Sequence, residues 1–226
     1  MLSKIWQLIP SLLDLGARLI SPPFCEQCQR FISQRQLLCN DCIQTILPVV
    51  SVNLSLGRRG QLTVYAAGAY QAPLQGLVLG KQRGYYLASR YLAEQIYERT
   101  PFPKLPCDYL IPIPLHWSRE LKRGYNQSMV IAQRLAQLRT DVALETPLRR
   151  SKRTQPQSNL SKSERAINLE AAFELGDHVD LELYRDKDLI LVDDVLTSGA
   201  TLINAAQELL KLRPRSISAV VACRAI

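Results

Sequence analysis

An apolar strand that runs directly into a turn and a helix, between Leu189 and Arg213, most constrains the fold. Leu189 to Asp193 (LILVD) is a continuous apolar run of strand length, and Ala200 to Arg213 repeats apolar residues at helical spacing. The same pattern recurs in the strands Tyr109–Pro114 and Ile217–Cys223 and in the helix Asn126–Arg139. Continuous apolar strands that alternate with helices predict an α/β fold with a mostly parallel sheet covered by helices.

The turn itself reads VDDVLTSGAT from Val192 to Thr201. A helix that begins at the carboxyl end of a buried strand offers free backbone N–H groups and a positive dipole end to an anion. Gly199 permits close approach of the backbone, and three hydroxyls add donors, those of Thr197, Ser198 and Thr201. This half of the turn predicts a site for a terminal phosphate.

The adjacent carboxylates Asp193 and Asp194 would repel a phosphate if they pointed at it. They suit a neighbouring polyhydroxyl group, such as a ribose, or a metal that bridges to its hydroxyls. An ordinary capped strand–turn–helix is the alternative, but capping accounts for one hydroxyl only. The combination of hydroxyls, glycine and paired acids favours a sugar-phosphate site.

Four of the six cysteines form the pattern C-x2-C-x10-C-x2-C, from Cys25 and Cys28 to Cys39 and Cys42. Two such pairs complete a tetrahedron of thiolates, so the spacing favours a structural zinc ion. Disulfides, a redox-active pair and an iron–sulfur cluster are the alternatives. Cys107 and Cys223 lie apart and are expected to be small buried residues.

The rest of the chain divides into a short N-terminal part and one larger domain. Leu8, Leu12, Leu15 and Leu19 predict an amphipathic N-terminal helix; peripheral membrane attachment is its alternative. We expect residues 1–48 to form this helix and the zinc module, and residues 49–226 to form the α/β domain. We also expect a loop over 43–60, a strand over 61–70, and helices over 73–83 and 86–99. No run reaches the ~18 apolar residues of a membrane span.

Positive charge is concentrated beside the expected site. The chain carries a net charge of +8, which favours polyanionic partners. Between Leu115 and Ala166 the sequence contains eleven lysines and arginines but only four acidic residues. The loop after the strand 109–114 carries His116, Arg119, Lys122, Arg123 and Gly124, and its cations are candidates to hold a pyrophosphate. A long basic loop over 149–168 adds Arg153 and Arg165; an ordinary solvated charged face is the alternative.

The ten-residue turn resembles the motif of type I phosphoribosyltransferases that binds 5-phosphoribosyl 1-pyrophosphate (PRPP). That resemblance implies a type I phosphoribosyltransferase-like fold, with Asp193 and Asp194 on the ribose hydroxyls. It also implies that Thr197, Ser198, Gly199, Ala200 and Thr201 surround the 5-phosphate. The chain also resembles the ComF family. This resemblance covers the PRPP motif, the four cysteines, the PxPLHxxRxxxRGYNQ run at 112–127 and the R…TxxQxxL…RxxN series at 150–168.

The ComF resemblance implies PRPP binding with Mg2+, a structural Zn2+ and a cytoplasmic role in handling single-stranded DNA during natural transformation. It also suggests a competence helicase or other DNA-uptake proteins as partners, and a peripheral position at the inner membrane. Tyr125 and Ser198 depart mildly from the family pattern. The catalytic residues and the acceptor are unknown.

Two alternatives to this function stay open. A phosphoribosyltransferase of nucleotide metabolism would release pyrophosphate only with an acceptor, which the sequence does not identify. In that reaction the long basic loop would close over the site and exclude water. A non-catalytic scaffold would use the zinc module and the PRPP fold for protein contacts, and it would keep its activity without Asp193. Salt-sensitive binding of single-stranded DNA would favour the competence function.

Overall fold

A computed structural model describes residues 24–32, 36–80, 85–115, 124–150 and 173–226. Its strands are β1 (Val52–Ser55), β2 (Gln61–Ala69), β3 (Tyr109–Pro112), β4 (Ala143–Leu144), β5 (Leu148–Arg150), β6 (Phe173–Leu175), β7 (Asp188–Leu196) and β8 (Ser216–Arg224). Its helices are α1 (Asn40–Gln44), α2 (Leu74–Leu79), α3 (Tyr85–Arg99), α4 (Gln127–Leu138), α5 (Leu181–Tyr184) and α6 (Ala200–Leu209). Short 3-10 turns span Gly57–Arg59, Phe102–Lys104 and Leu210–Leu212.

The central sheet has six strands in the order β1-β2-β8-β7-β3-β4. Strands β2, β8, β7, β3 and β4 are parallel, and only the edge strand β1 pairs antiparallel. Strand β7 lies at the centre, and Leu189 to Val192 are fully buried because helices cover both faces. The mostly parallel sheet agrees with the prediction from the apolar runs. Strands β5 and β6 form a separate antiparallel pair.

Successive residues of β7 face opposite sides of the sheet, as the period of two requires. Ile190 and Val192 pack into a cluster with α3 and α4, which also takes in the cysteine module. Leu189 and Leu191 pack into a second cluster with α6, β5 and β6. The sheet therefore has a face that carries the N-terminal module and a face that carries α6.

The segment 43–60, expected to be a loop, contains β1. Asn53 and Ser55 are exposed and Val52 and Leu54 are half-buried, so the strand alternates as an edge strand does. Only two apolar residues mark it, too few to distinguish it from a loop in the sequence. Pairing with β2 supplies its hydrogen bonds, and the Thr63 hydroxyl lies 2.9 Å from the Asn53 side-chain oxygen.

Two helix ends also differ from expectation. Helix α6 stops at Leu209 and tightens into a 3-10 turn, which ends where Arg213 adopts a left-handed conformation with φ 54°. Helix α2 stops at Gly80, which has φ 62° and caps the helix in the way glycine commonly does. The expected N-terminal helix lies outside the described residues. None of the helices described is both long enough and apolar enough to span a bilayer.

Candidate sugar-phosphate site and four-cysteine cluster

The predicted phosphate turn lies at the carboxyl end of β7, where it leads into α6. Gly199 is the N-cap of α6 with φ 80° and, because it has no side chain, it forms no capping hydrogen bond of its own. A Cβ at this position would come 2.7 Å from Leu54 Cδ1, so β1 packs against the turn and only glycine fits. The N–H groups of the first helical turn need partners, and an anion placed there would supply them.

Hydroxyl groups surround this helix end. Thr197 and Ser198 are exposed and Thr201 is half-buried. The Ser198 hydroxyl oxygen lies 3.4 Å from the Ala200 nitrogen, a long contact that leaves the hydroxyl available to a ligand. The turn therefore presents both backbone and side-chain donors on one side.

Asp193 lies beside the turn and is held by two donors. The Ser128 hydroxyl donates to Asp193 Oδ1 at 2.8 Å, and the Asp194 backbone N–H donates to the same oxygen at 2.9 Å. Burial and the neighbouring Asp194 carboxylate raise the pKa of Asp193 well above its ordinary value, against the effect of the Ser128 bond. Among the residues that the structure describes, neither aspartate forms an ion pair.

Ser128 reaches Asp193 because β3 pairs directly with β7. Asn126 caps α4 by accepting from the Ser128 N–H at 3.1 Å, and it donates to the Ile113 carbonyl at 2.9 Å. These bonds tie the start of α4 to the end of β3, so the helix begins next to the acidic pair. Both α4 and α6 thus begin at the carboxyl end of the parallel strands.

Sequence reasoning placed the segment after β3 near the same ligand, but it missed Ser128 itself. A serine at the start of an amphipathic helix resembles a capping residue, and nothing local distinguishes it. The other predicted pyrophosphate residues, His116, Arg119, Lys122, Arg123, Arg153 and Arg165, lie outside the described part of the chain. Gly124 is described and has φ 79°, a turn conformation that favours glycine.

The four cysteines of the N-terminal module converge. The sulfur atoms of Cys25, Cys28, Cys39 and Cys42 all lie within 4.8 Å of one another. Cys28 Sγ and Cys39 Sγ are 3.6 Å apart, and the Cys39 N–H donates to Cys25 Sγ at 3.3 Å. A tetrahedral zinc ion with Zn–S bonds of about 2.3 Å needs sulfurs roughly 3.8 Å apart. The cluster therefore fits a four-thiolate metal site.

The thiols of Cys25 and Cys42 differ in how readily they ionise. Burial opposes ionisation of Cys25, but N–H bonds from Cys28 and Cys39 outweigh it and lower its pKa to about 6. Burial and the neighbouring sulfurs raise the pKa of Cys42. A bound cation would remove this conflict, because coordination keeps all four sulfurs as thiolates.

The module is attached to the sheet by packing and by backbone bonds. Cys25 and Cys42 are buried in the cluster that contains Ile96. Arg99 donates to the Ile43 carbonyl at 2.8 Å, and the Ala69 N–H donates to the Leu47 carbonyl at 2.9 Å. Thus the module forms part of one face of the α/β core.

Comparisons with known proteins match this architecture. The family described as the phosphoribosyl transferase domain matches residues 121–226. The chain is 30% identical to DNA utilization protein YhgH of Salmonella typhimurium over 214 residues, covering 89% of this chain and 90% of that protein. It is 38% identical to competence protein F of Haemophilus influenzae over 122 residues, 54% of this chain and about half, 52%, of that relative.

A purine phosphoribosyltransferase from Pyrococcus horikoshii is among the similar solved structures, with a TM-score of 0.36 and 18% identity. The match covers 63% of this chain and 84% of that one.

The matched domain and the parallel sheet define a type I phosphoribosyltransferase-like α/β protein, which confirms the predicted fold class. DNA utilization protein YhgH matches nearly the whole chain, and the competence proteins F and ComFC match about half of it. The chain belongs to the ComF family.

Proposed function

We propose that the chain binds PRPP together with Mg2+ at the carboxyl end of β7, and that this binding supports the handling of single-stranded DNA in natural transformation. The observation that carries the proposal is the glycine-capped N-terminus of α6 beside the Asp193–Asp194 pair. A phosphate matches the first feature and the hydroxyls of a ribose match the second. The two features are adjacent, as they are in a ribose 5-phosphate.

In this proposal residues 197–201 surround the 5-phosphate, while Asp193 and Asp194 accept hydrogen bonds from the ribose hydroxyls. Ser128 holds Asp193 in place. Mg2+ would neutralise the charge of the pyrophosphate, and the ribose-binding carboxylates are the described groups suited to reach it. His116, Arg119, Lys122 and Arg123 remain the proposed pyrophosphate contacts, with Arg153 and Arg165 from the long basic loop.

The DNA part of the proposal draws on the relatives' names and on charge. Two relatives are called competence protein F and DNA utilization protein YhgH. The net charge of +8 suits a polyanionic partner. We place the protein in the cytoplasm, with residues 1–48 and 49–226 as its two structural parts.

Calorimetric titration with PRPP and Mg2+ tests the sugar-phosphate site. The native chain is compared with the double variant Asp193→Asn/Asp194→Asn. The matched control is Asp180→Asn/Asp186→Asn, which also removes two charges at exposed positions of the opposite sheet end. Asparagine caps a helix as well as aspartate does, and it tolerates the left-handed conformation of Asp186.

Saturable binding by the native chain and the control, weakened by about a hundredfold or more in the double variant, supports the proposal. Equal binding by all three chains, or none by the native chain, contradicts it. Pyrophosphate release with a panel of acceptors, measured on the same samples, separates a transferase from a protein that only binds PRPP.

We also propose that the four-cysteine cluster holds a structural Zn2+. Metal analysis of the purified chain should find one zinc ion, which the Cys39→Ser variant loses and Cys107→Ser retains. Cobalt substitution should show the absorption of a four-thiolate site. A native chain without metal that is equally stable to heat before and after chelation would contradict this role.

A further inference from the structure

An open pocket of about 400 Å3 lies between the β1–β2 connection and the outer side of α6. Leu56 and Phe173 lie beneath it and are only 5% and 6% exposed, so most of the surface that a ligand would meet is polar. The wall from α6 carries the carboxamides of Asn204 and Gln207. Of the described residues of the phosphate turn, 193–201, none lines this pocket, so it is a separate site.

Two arginines form its rim, Arg58 and Arg59. They occupy the tip of a Gly-Arg-Arg-Gly turn whose glycines have φ 69° and 105°, conformations that side chains rarely adopt. The Leu56 N–H donates to the Gly60 carbonyl at 2.9 Å and closes the turn. The backbone therefore holds both arginines at the pocket entrance.

These arginines lack the counter-charges that several other arginines of the structure have. Arg134 pairs with Glu94 at 2.6 Å, and Arg215 pairs with Asp188. Within the described ranges neither Arg58 nor Arg59 has an acidic partner. Two adjacent guanidinium groups repel each other, so an anion at the rim would relieve that repulsion.

Among the described residues that line the pocket, Glu208 carries the one carboxylate, and it is paired with a lysine. Glu208 Oε2 lies 2.7 Å from Lys211 Nζ, and Glu208 Oε1 accepts from the Leu175 N–H at 3.3 Å. Glu208 and Lys211 together contribute no net charge. The net charge of the described lining is therefore that of the arginine pair.

The lining combines two kinds of contact that a nucleotide uses. Guanidinium groups bind phosphate oxygens. Carboxamides pair with the hydrogen-bonding edges of bases. The Phe173 ring beneath the pocket is already covered by the Arg150 guanidinium, which packs over it at 5.3 Å. The volume lies in the range of about 300–1,000 Å3 that small-molecule sites occupy.

We propose that this pocket binds a nucleoside monophosphate unit, either as a free nucleotide or as one residue of a single strand. The phosphate would lie between Arg58 and Arg59, and the base would lie against α6 within reach of Gln207. The strand form rests on the proposed DNA function, whereas the free-nucleotide form does not. Both use a site that is distinct from the PRPP turn.

The test uses two probes with the full chain, a fluorescein-labelled oligothymidylate strand and free thymidine 5′-monophosphate. The variant Arg58→Gln/Arg59→Gln removes the rim charge. The control Arg90→Gln/Lys104→Gln removes the same charge from the opposite face of the sheet. Circular dichroism and melting temperature verify that both variants fold. Anisotropy measures the strand, and saturation-transfer NMR measures the free nucleotide.

The rim variant should bind the strand about tenfold more weakly at low salt, and the slope of log K against log salt should fall by about one to two. The control should bind the strand nearly as well as the native chain. A second outcome is that the native chain binds thymidine monophosphate but not the strand, and that the rim variant no longer binds the nucleotide. This outcome supports the free-nucleotide form and counts against the DNA function. Equal strand binding by both variants overturns the strand form, while intact PRPP binding leaves the proposed sugar-phosphate site standing. Neither probe binding to the native chain overturns the pocket proposal altogether.

A second pair of variants tests the wall of the pocket. Gln207→Glu places a negative charge on α6 without a change in shape, and Gln207→Lys places a positive one. Affinity for the bound probe should fall several-fold with glutamate and rise several-fold with lysine. Equal affinities for both variants would show that the ligand binds elsewhere.

Discussion

The two ends of β7 carry aspartates in opposite electrostatic states. Asp188, at the start of the strand, accepts from Arg215 and from the Ser216 hydroxyl at 2.7 Å, and the Arg215 bonds hold its pKa below the usual range. Asp193, five residues later, has no cation near it in the described structure, and burial raises its pKa. One strand therefore supports a carboxylate paired with a cation at one end and a carboxylate held only by neutral donors at the other.

The difference separates a stabilising site from a binding site. The Asp188 carboxylate is compensated within the protein, so folding gains from its charge. The Asp193 carboxylate is not compensated, so its charge costs folding and becomes useful only when a ligand supplies donors. Ligands in parallel α/β sheets bind at the carboxyl ends of strands, which is the end where Asp193 lies. Four substitutions test how far this contrast holds.

The largest effect is expected at the paired end. Asp188→Asn should lower the free energy of unfolding by about 1–3 kcal/mol at neutral pH, because hydrogen bonds to a buried charge are lost. Because the native pKa of Asp188 lies below its ordinary value of 3.8, its carboxylate adds stability at pH values above 3.8. That stability is lost as the pH falls through the native pKa. The gap between native chain and variant should therefore close in acid, as measured by urea unfolding. A gap of the same size at all pH values would contradict the pairing.

The next effect concerns the bond that positions Asp193. Ser128→Ala should weaken binding of PRPP with Mg2+ about tenfold, because the carboxylate loses a charge-assisted donor. Loss of that donor also raises the pKa of Asp193, so the pH profile of binding should move to higher pH.

Ser128→Thr keeps the hydroxyl and should restore both affinity and pH profile. The exposed residue Gln133 on the same helix offers a control, since Gln133→Ala should leave both unchanged. A threonine variant as weak as the alanine variant, or an unmoved pH profile, would argue for a purely structural role of Ser128.

A smaller effect, of opposite sign to that of Asp188→Asn, is expected at the unpaired end. Asp193→Asn should raise the free energy of unfolding by about 1 kcal/mol at neutral pH. A raised native pKa means that stability is lost as pH rises from the ordinary 3.8 through the native value. The advantage of the variant should therefore grow over that range and vanish below it. Destabilisation by Asp193→Asn at neutral pH would remove the contrast between the two ends.

The smallest effect is expected for Ser216→Ala, which removes one donor to Asp188. The free energy of unfolding should fall by about 0.5–1 kcal/mol. In the Asp188→Asn background the same change should cost less, because the charge that strengthened the bond is gone. Identical costs in both backgrounds, measured as a double-mutant cycle, would show that Ser216 acts independently of Asp188.

The strand, turn and helix of the candidate site were predictable from the sequence. The LILV run, the GAT turn and the apolar stripe of α6 are local patterns, and their residues are neighbours along the chain. The cysteine pairs were also predictable from local sequence, because a spacing of two residues between thiols already limits the geometry of each pair. The parallel arrangement of the main strands also follows from their apolar runs, which require cover on both faces.

The contacts that give these elements their chemistry depend on tertiary structure. Ser128 meets Asp193 only because β3 lies next to β7, and the bond joins residues 65 positions apart. Arg58 and Arg59 read as part of a loop until β1 pairs with β2 and brings their turn to α6. Local patterns in the sequence determine which segments form strands, turns and helices. The order of the strands, which depends on packing across the whole sheet, decides which side chains meet.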